Sequence, residues 1–216
     1  MDILYTDDRV VVCVKPAGVL STDEPGGMPS LLREQLGTGA VVRSVHRLDS
    51  AVSGVMVYAR TKRAASDLSE QIRTGAFLKE YLAVVHGVPE EDSTLTDWLL
   101  YDTDRRISAI VPAETKGAKK ASLSYQRLAL NNEMALLRIR LHTGRTHQIR
   151  CQFAGRGHPI VGDRKYGKGG EDCGIALRSI KVEFDHPRTG ERMEYYLPPE
   201  PVYPWTAWSG LISELH

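Results

Sequence analysis

The stretch Ala135-Leu136-Leu137-Arg138-Ile139-Arg140-Leu141-His142 alternates in character. Leu137, Ile139 and Leu141 share one side of an extended segment, and Arg138, Arg140 and His142 share the other. It reads as a strand with a core face and a basic face. Just before it, Leu123 to Leu130 reads as a second strand, and just after it Thr146 to Ala154 reads as a short helix closed by Gly155 or Gly157. Further out, Leu78 to Val85 is extended, with Lys79, Tyr81, Ala83 and Val85 on one face. Gly54 to Ala59 is another strand. Thr61 caps a helix from Lys62 to Thr74 whose Ala64, Leu68 and Ile72 form one stripe, and Gly75 ends it. Val10 to Val14 is a β-branched run that stops at the turn Lys15-Pro16-Ala17-Gly18, and Pro29 to Leu36 is a short helix. Ala176 to Phe184 and Glu191 to Leu197 form a hairpin around Asp185 to Gly190, after which Pro198 and Pro199 end regular structure. Strands come in runs, not in strict alternation with helices. That order predicts an α+β fold: a mixed, largely antiparallel sheet flanked by helices. No linker divides the chain, so one domain is expected over residues 1–216.

Composition narrows the class. Of 216 residues, 42% are hydrophobic and 25% charged, which excludes a disordered or collagen-like chain. Aromatics reach 7%, so the core must rest on Val, Leu, Ile and Ala. No apolar run approaches the roughly 18 residues of a membrane span. The acidic start Met1 to Asp8 lacks the basic-then-apolar layout of a signal peptide, so a cytoplasmic protein without a membrane partner is expected. Cys13, Cys151 and Cys173 are odd in number and far apart, which argues for reduced thiols and against a structural zinc. The net charge of +1 hides an asymmetry: residues 41–168 hold 21 Lys and Arg against 13 Asp and Glu. A basic middle is compatible with a face that meets phosphates, and equally with scattered solvated charge.

Three segments carry chemistry. In Val45-His46-Arg47-Leu48-Asp49, the carboxylate stands before a loop with Gly54 and can serve as nucleophile or base, or simply cap its own turn. Arg47 lies two residues earlier and can pair with that acid. In Lys79-Glu80-Tyr81, the tyrosine is a core residue or a ring that stacks on a base. In Thr143-Gly144-Arg145-Thr146-His147-Gln148-Ile149-Arg150, a cation and several donors gather at a helix start, as an anion site or as an ordinary solvated terminus. P-loop, Gly-x-Ser-x-Gly and His-Glu-x-x-His patterns are absent.

Together these segments resemble the RluA family of RNA pseudouridine synthases. The likeness takes in the His46-Arg47-Leu48-Asp49 motif with Ser53-Gly54 behind it, and Lys79, Tyr81, Ala83, Val85 and Gly87. It continues through Gly144 to Arg150, Gly157 to Asp163 and Tyr166-Gly167, with Lys15 to Gly18 as the N-terminal turn. It spans residues 3 to about 197 in the family's order. His46 separates the chain from the related RsuA group, which has Gly there. Val52 departs from the family's frequent Thr and removes a hydroxyl. The early strand at Val10 leaves no room for an N-terminal S4 domain, so a short form is expected.

The resemblance implies the pseudouridine synthase catalytic fold with a central RNA-binding cleft. It implies isomerisation of uridine to pseudouridine in rRNA or tRNA stem-loops, with no cofactor and no metal; separately, a monomer is expected. Asp49 takes the place of the essential aspartate, Tyr81 of the ring that stacks on the target base, and Arg145 of the cation that pairs with the aspartate. Arg47 takes the place of the arginine that enters the RNA where the flipped nucleotide has left. His46, Arg138, Arg140, His147, Gln148, Arg150, Lys165 and Lys168 are the further candidates for RNA contact. A catalytically silent RNA-binding protein on the same scaffold, and an unrelated metal-free hydrolase using Asp49 with His46 or His147, are the rival readings.

Overall fold

The computed structural model describes every residue except Thr38, Lys168, Gly170 and His216. In chain order the first elements are β1 (Ile3–Thr6), β2 (Val10–Lys15), α1 (Met28–Leu36), β3 (Arg43–Ser44), β4 (Ser53–Ala59), α2 (Lys62–Thr74) and β5 (Leu78–His86). Then come β6 (Asp92–Asp102), β7 (Ile107–Val111), β8 (Lys119–Asn131), β9 (Met134–Leu141), α3 (Gln148–Ala154), β10 (Leu177–Asp185), β11 (Arg192–Tyr196) and α4 (Ser209–Glu214). The chain forms two compact units, Met1–Lys79 with Ser179–Leu197, and Glu80–Arg178 with Pro198–His216. Among the described residues no helix is long and apolar enough to cross a membrane.

In the first unit β2 lies between β1 and β4, antiparallel to both, in a register that runs from Val10 opposite Ala59 to Lys15 opposite Gly54. β3 adds to β4, and β10 pairs with β11 in a hairpin. The sheet's Val10, Val12, Val55, Val57, Val182 and Phe184 bury against Ala64 and Leu68 of α2. That is the stripe the sequence predicts, and apolar burial of this kind is the main force holding helix to sheet. Thr61 Oγ1 accepts the Ala64 N–H at 3.0 Å, and Gly75 closes the helix in the left-handed region. Gln71 bonds both backbone polar groups of Asp185, at 2.7 and 2.8 Å, which locks α2 to the end of β10. Gly54 is required by close approach: a Cβ there would stand 2.7 Å from Ser179 N and closer still to its carbonyl oxygen.

The second unit is a wholly antiparallel sheet in the order β5-β9-β8-β6-β7. Register assigns the faces. Tyr81 stands opposite Ile139 and Ile139 opposite Tyr125, so these three share one side. Arg138 and Arg140 share the other side with Gln126 and Ser124. α3 covers the tyrosine side: Phe153 meets the Tyr125 ring edge-on at 5.1 Å, and Cys151 packs with Leu99 and Ala121.

Three features differ from the sequence reading. Residues 92–111 form the β6–β7 hairpin, whose mixture of Thr, Asp and Leu carries no clean period. The helix after Arg145 starts at Gln148, not Thr146, because His147 is left-handed with φ 53°. Regular structure also resumes after Pro198 and Pro199. A 3-10 turn at Trp205–Trp208 and the short α4 follow, where burial of Trp205, Trp208 and Ile212 supplies the driving force.

Candidate active site

Asp49 sits in the connection from β3 to β4, half-buried, five residues before Gly54. The loop that bears it is tied down from beneath. Lys15 at the end of β2 is fully buried, and its ammonium donates to the carbonyls of Pro16, Val19 and Ser50 at 2.9, 2.6 and 3.0 Å. Burial pushes this lysine down to about 8, against the opposing pull of the Asp49 charge. Gly18 N–H adds a 2.7 Å bond to Ser50 O, and the Asp49 carbonyl accepts Val52 N–H at 3.0 Å. On the near side, Ser21 Oγ donates to Leu48 O at 2.8 Å and accepts Leu48 N–H at 3.1 Å. The Leu48 N–H and the carbonyls of Leu48, Asp49 and Ser50 are therefore held by internal partners, which fixes the carboxylate's starting point. Lys15 opens the N-terminal turn of the family motif, and its part as a positioning residue comes from its buried contacts. Its signal was a lone cation at the end of the apolar run Val10 to Val14.

His46 and Arg47 behave differently from each other. His46 Nε2 accepts the Val57 N–H at 3.0 Å, and its ring leans on Phe77 at 5.4 Å. Burial, reinforced by the Lys79 charge, holds this imidazole neutral by pushing it down to about 3. Nε2 is committed to β4. Arg47 is exposed on the same loop and makes no ion pair among the described residues.

In the second unit Tyr81 is buried in mid-strand. Arg145 is exposed in the turn between β9 and α3, where its Nε donates to Lys120 O at 2.9 Å. Gln148 shapes that turn. Its Oε1 accepts from the Thr143 hydroxyl and the Arg145 N–H at 2.7 and 3.0 Å, and its Nε2 donates to Ser122 O at 3.0 Å. The Arg145 amide is therefore engaged by a side chain and does not form an open helix-end anion site.

The remaining candidates divide. Gln148 and Arg150, expected at an RNA surface, are buried instead. Arg150 makes a two-bond ion pair with buried Asp163, both bonds 2.7 Å, and its guanidinium lies 5.2 Å from the Tyr166 ring centre. A cation this enclosed holds the fold around α3 and cannot reach a phosphate without unpairing a buried carboxylate. His147 is half-buried, with Nδ1 3.0 Å from Tyr166 Oη. Arg138 is bonded through Nε and Nη2 to Glu80 at 2.9 and 2.6 Å. Arg140 is exposed, on the sheet face opposite Tyr81. Lys165 is exposed and donates to Arg106 O at 2.9 Å. Lys168 lies outside the described residues. Among the described residues no three His, Cys, Asp or Glu side chains gather as metal ligands.

The family model for RNA pseudouridylate synthases matches residues 9–155, which takes in both the Asp49 and the Arg145 segments. The chain belongs to the RNA pseudouridylate synthase family. Members of that family are isomerases that act on RNA. An uncharacterised RNA pseudouridine synthase of Bacillus subtilis (strain 168) is 35% identical over 211 residues, covering 92% of this chain and 69% of its own length. Ribosomal large subunit pseudouridine synthase D of Xylella fastidiosa is 38% identical over 210 residues, covering 87% of this chain. This chain spans 62% of that relative's length. The fold is shared with human RNA pseudouridylate synthase domain containing 4, with a TM-score of 0.75 at 23% identity over 92% of this chain and 88% of that one.

Proposed function

We propose that the chain converts uridine to pseudouridine in structured ribosomal or transfer RNA, with Asp49 as the catalytic carboxylate. The observation that carries this reading is the Asp49 loop itself: a family motif whose backbone is clamped by Lys15 and Ser21 on either side of the acid. A reacting group held this way loses little orientational freedom when substrate arrives. The reaction breaks the C1′–N1 bond, turns the uracil and joins C5 to C1′. C5 then gives up its proton and N1 gains one, so the product is an isomer and no co-reactant is consumed. Asp49 acts ionised, either attacking C1′ or removing the C2′ proton. Tyr81 stacks on the extruded base, Arg145 supplies the cation that the family motif carries, and Arg47 fills the gap left in the RNA. Residues 1–216 act as one catalytic domain in the cytoplasm, without a metal or cofactor.

Tritium release from RNA labelled at uridine C5 tests this directly. Unmodified ribosomal and transfer RNA are offered separately to wild type and Asp49→Ala. Release by wild type alone, from either pool, is the expected result. Equal release by both proteins would remove Asp49 from the chemistry, and release by neither would favour a silent RNA-binding protein.

A further inference from the structure

Most arginines of this chain are engaged internally, as in Arg33 with Asp23, Arg138 with Glu80 and Arg156 with Asp97. Arg105, Arg106 and Arg164 are exposed, and their side chains make no bond among the described residues. Arg105 and Arg106 form the tip of the β6–β7 hairpin, with Arg106 left-handed at φ 52°. Lys165 Nζ holds Arg106 O at 2.9 Å, which brings the Arg164-Lys165 segment alongside that tip. Two carboxylates share the tip. Asp102 Oδ1 accepts the N–H groups of Asp104 and Arg105, both at 2.9 Å, and so shapes the turn. Four cations against Asp102 and Asp104 leave the tip positive.

The hairpin is also fastened to the segment that carries Arg145. Ser108 Oγ donates to Thr146 O at 2.6 Å, and Ser108 N–H donates to Tyr166 Oη at 2.6 Å. His147 Nδ1 lies 3.0 Å from the same Tyr166 oxygen, and the exposed Tyr101 ring meets His147 edge-on at 6.1 Å. The tip and Arg145 are thus held by one local network within one unit. An RNA strand that reaches Arg145 therefore meets the same unit that carries the hairpin tip.

We propose that this tip grips the phosphate backbone beside the target nucleotide, with Arg105, Arg106 and Arg164 as the contacts. The proposal rests on the pseudouridine synthase reading for its substrate. Guanidinium forks suit phosphate oxygens, and unpaired ones lose no internal partner when they bind. Phosphate contacts fix register and carry no sequence information, so the tip sets affinity and placement, not the choice of base.

The test is the salt dependence of binding to a fluorescein-labelled RNA stem-loop, comparing wild type with Arg105→Ala/Arg106→Asn/Arg164→Ala. Asn is chosen at 106 because it tolerates the left-handed backbone. Each phosphate contact contributes roughly 0.7 to 0.9 to the slope of log affinity against log salt, so the slope should fall by about 2. In the tritium assay KM should rise with kcat unchanged. The triple Arg→Lys variant should restore most of the slope. A triple variant with the wild-type slope and KM overturns the proposal, as does a wild type that prefers polyglutamate to RNA. Wild type that binds RNA without releasing tritium refutes the enzymatic reading alone, since the slope comparison still stands.

Discussion

Gly54→Ala isolates one packing constraint at the entry to the candidate site. A Cβ on residue 54 would lie 2.7 and 2.8 Å from the backbone nitrogen and carbonyl carbon of Ser179, and nearer to the oxygen. Neither partner can rotate away, because both are main chain. The residue also sits at φ 131°, where an L side chain is strained by roughly 1–3 kcal/mol. Relief requires β4 and β10 to part by about 0.5–1 Å, which weakens ladder bonds worth about 1 kcal/mol each and loosens the packing of Val55 against Val182. The total is about 3–5 kcal/mol, a large part of the roughly 5–15 kcal/mol by which domains are stable. Urea unfolding at 25 °C measures it, and the melting temperature should drop by about 10 °C. Gly18→Ala is the control. Its φ of 88° is also positive, yet nothing lies within 4 Å of the added carbon, so it should cost only about 1–2 kcal/mol of strain. Equal losses in the two variants would show that backbone strain, not the β4–β10 approach, makes residue 54 a glycine.

Two further perturbations probe candidate residues that the fold engages internally, His46 and Arg150. His46 is held neutral to about pH 3 while the unfolded chain protonates it near 6.5, so the unfolded state binds the extra proton and stability falls as pH drops from 6.5 toward 3. His46→Gln, which keeps an acceptor for Val57 N–H, should flatten the fall of the urea midpoint between pH 7 and about pH 4.5; identical slopes would sink the idea. Arg150→Met leaves Asp163 buried without its cation and should cost about 3–5 kcal/mol, partly recovered by Arg150→Met/Asp163→Leu. The Arg150 partner and backbone donors hold the Asp163 carboxyl below its ordinary 3.8, so its contribution is present above that value and is lost as pH falls through the lower folded one. An Arg150→Met cost under about 1 kcal/mol in chemical denaturation would mean the pair is dispensable.

Local pattern made much of the architecture legible. Alternation marked β9, extended apolar runs marked β5 and part of β8, the i, i+4, i+8 stripe with its Thr61 and Gly75 ends marked α2, and turn residues marked the β10–β11 hairpin. The family was legible too, because His46-Arg47-Leu48-Asp49, Lys79-Glu80-Tyr81 and Gly144 to Arg150 occur in a fixed order that few chains share. Those signals are short-range, and a linear string displays them in full. What side chains do across long separations is not displayed. Arg150 is a cation in the sequence either way; only the fold encloses Asp163 beside it and takes it from the surface. Gln148 looks like a donor for a ligand, yet it is used up by Thr143, Arg145 and Ser122. Arg138 and Arg140 are basic by inspection, but the register of β5 with β9 decides that they face away from Tyr81. Lys15 reads as the end of a strand until burial gives it three carbonyls to hold, one of them 35 positions away beside Asp49. Residue type and spacing determined the fold class and the family, since both rest on periodicity and motif. Which polar groups are buried, paired or exposed was decided by tertiary packing, because desolvation and hydrogen-bond partners arise only when distant segments meet.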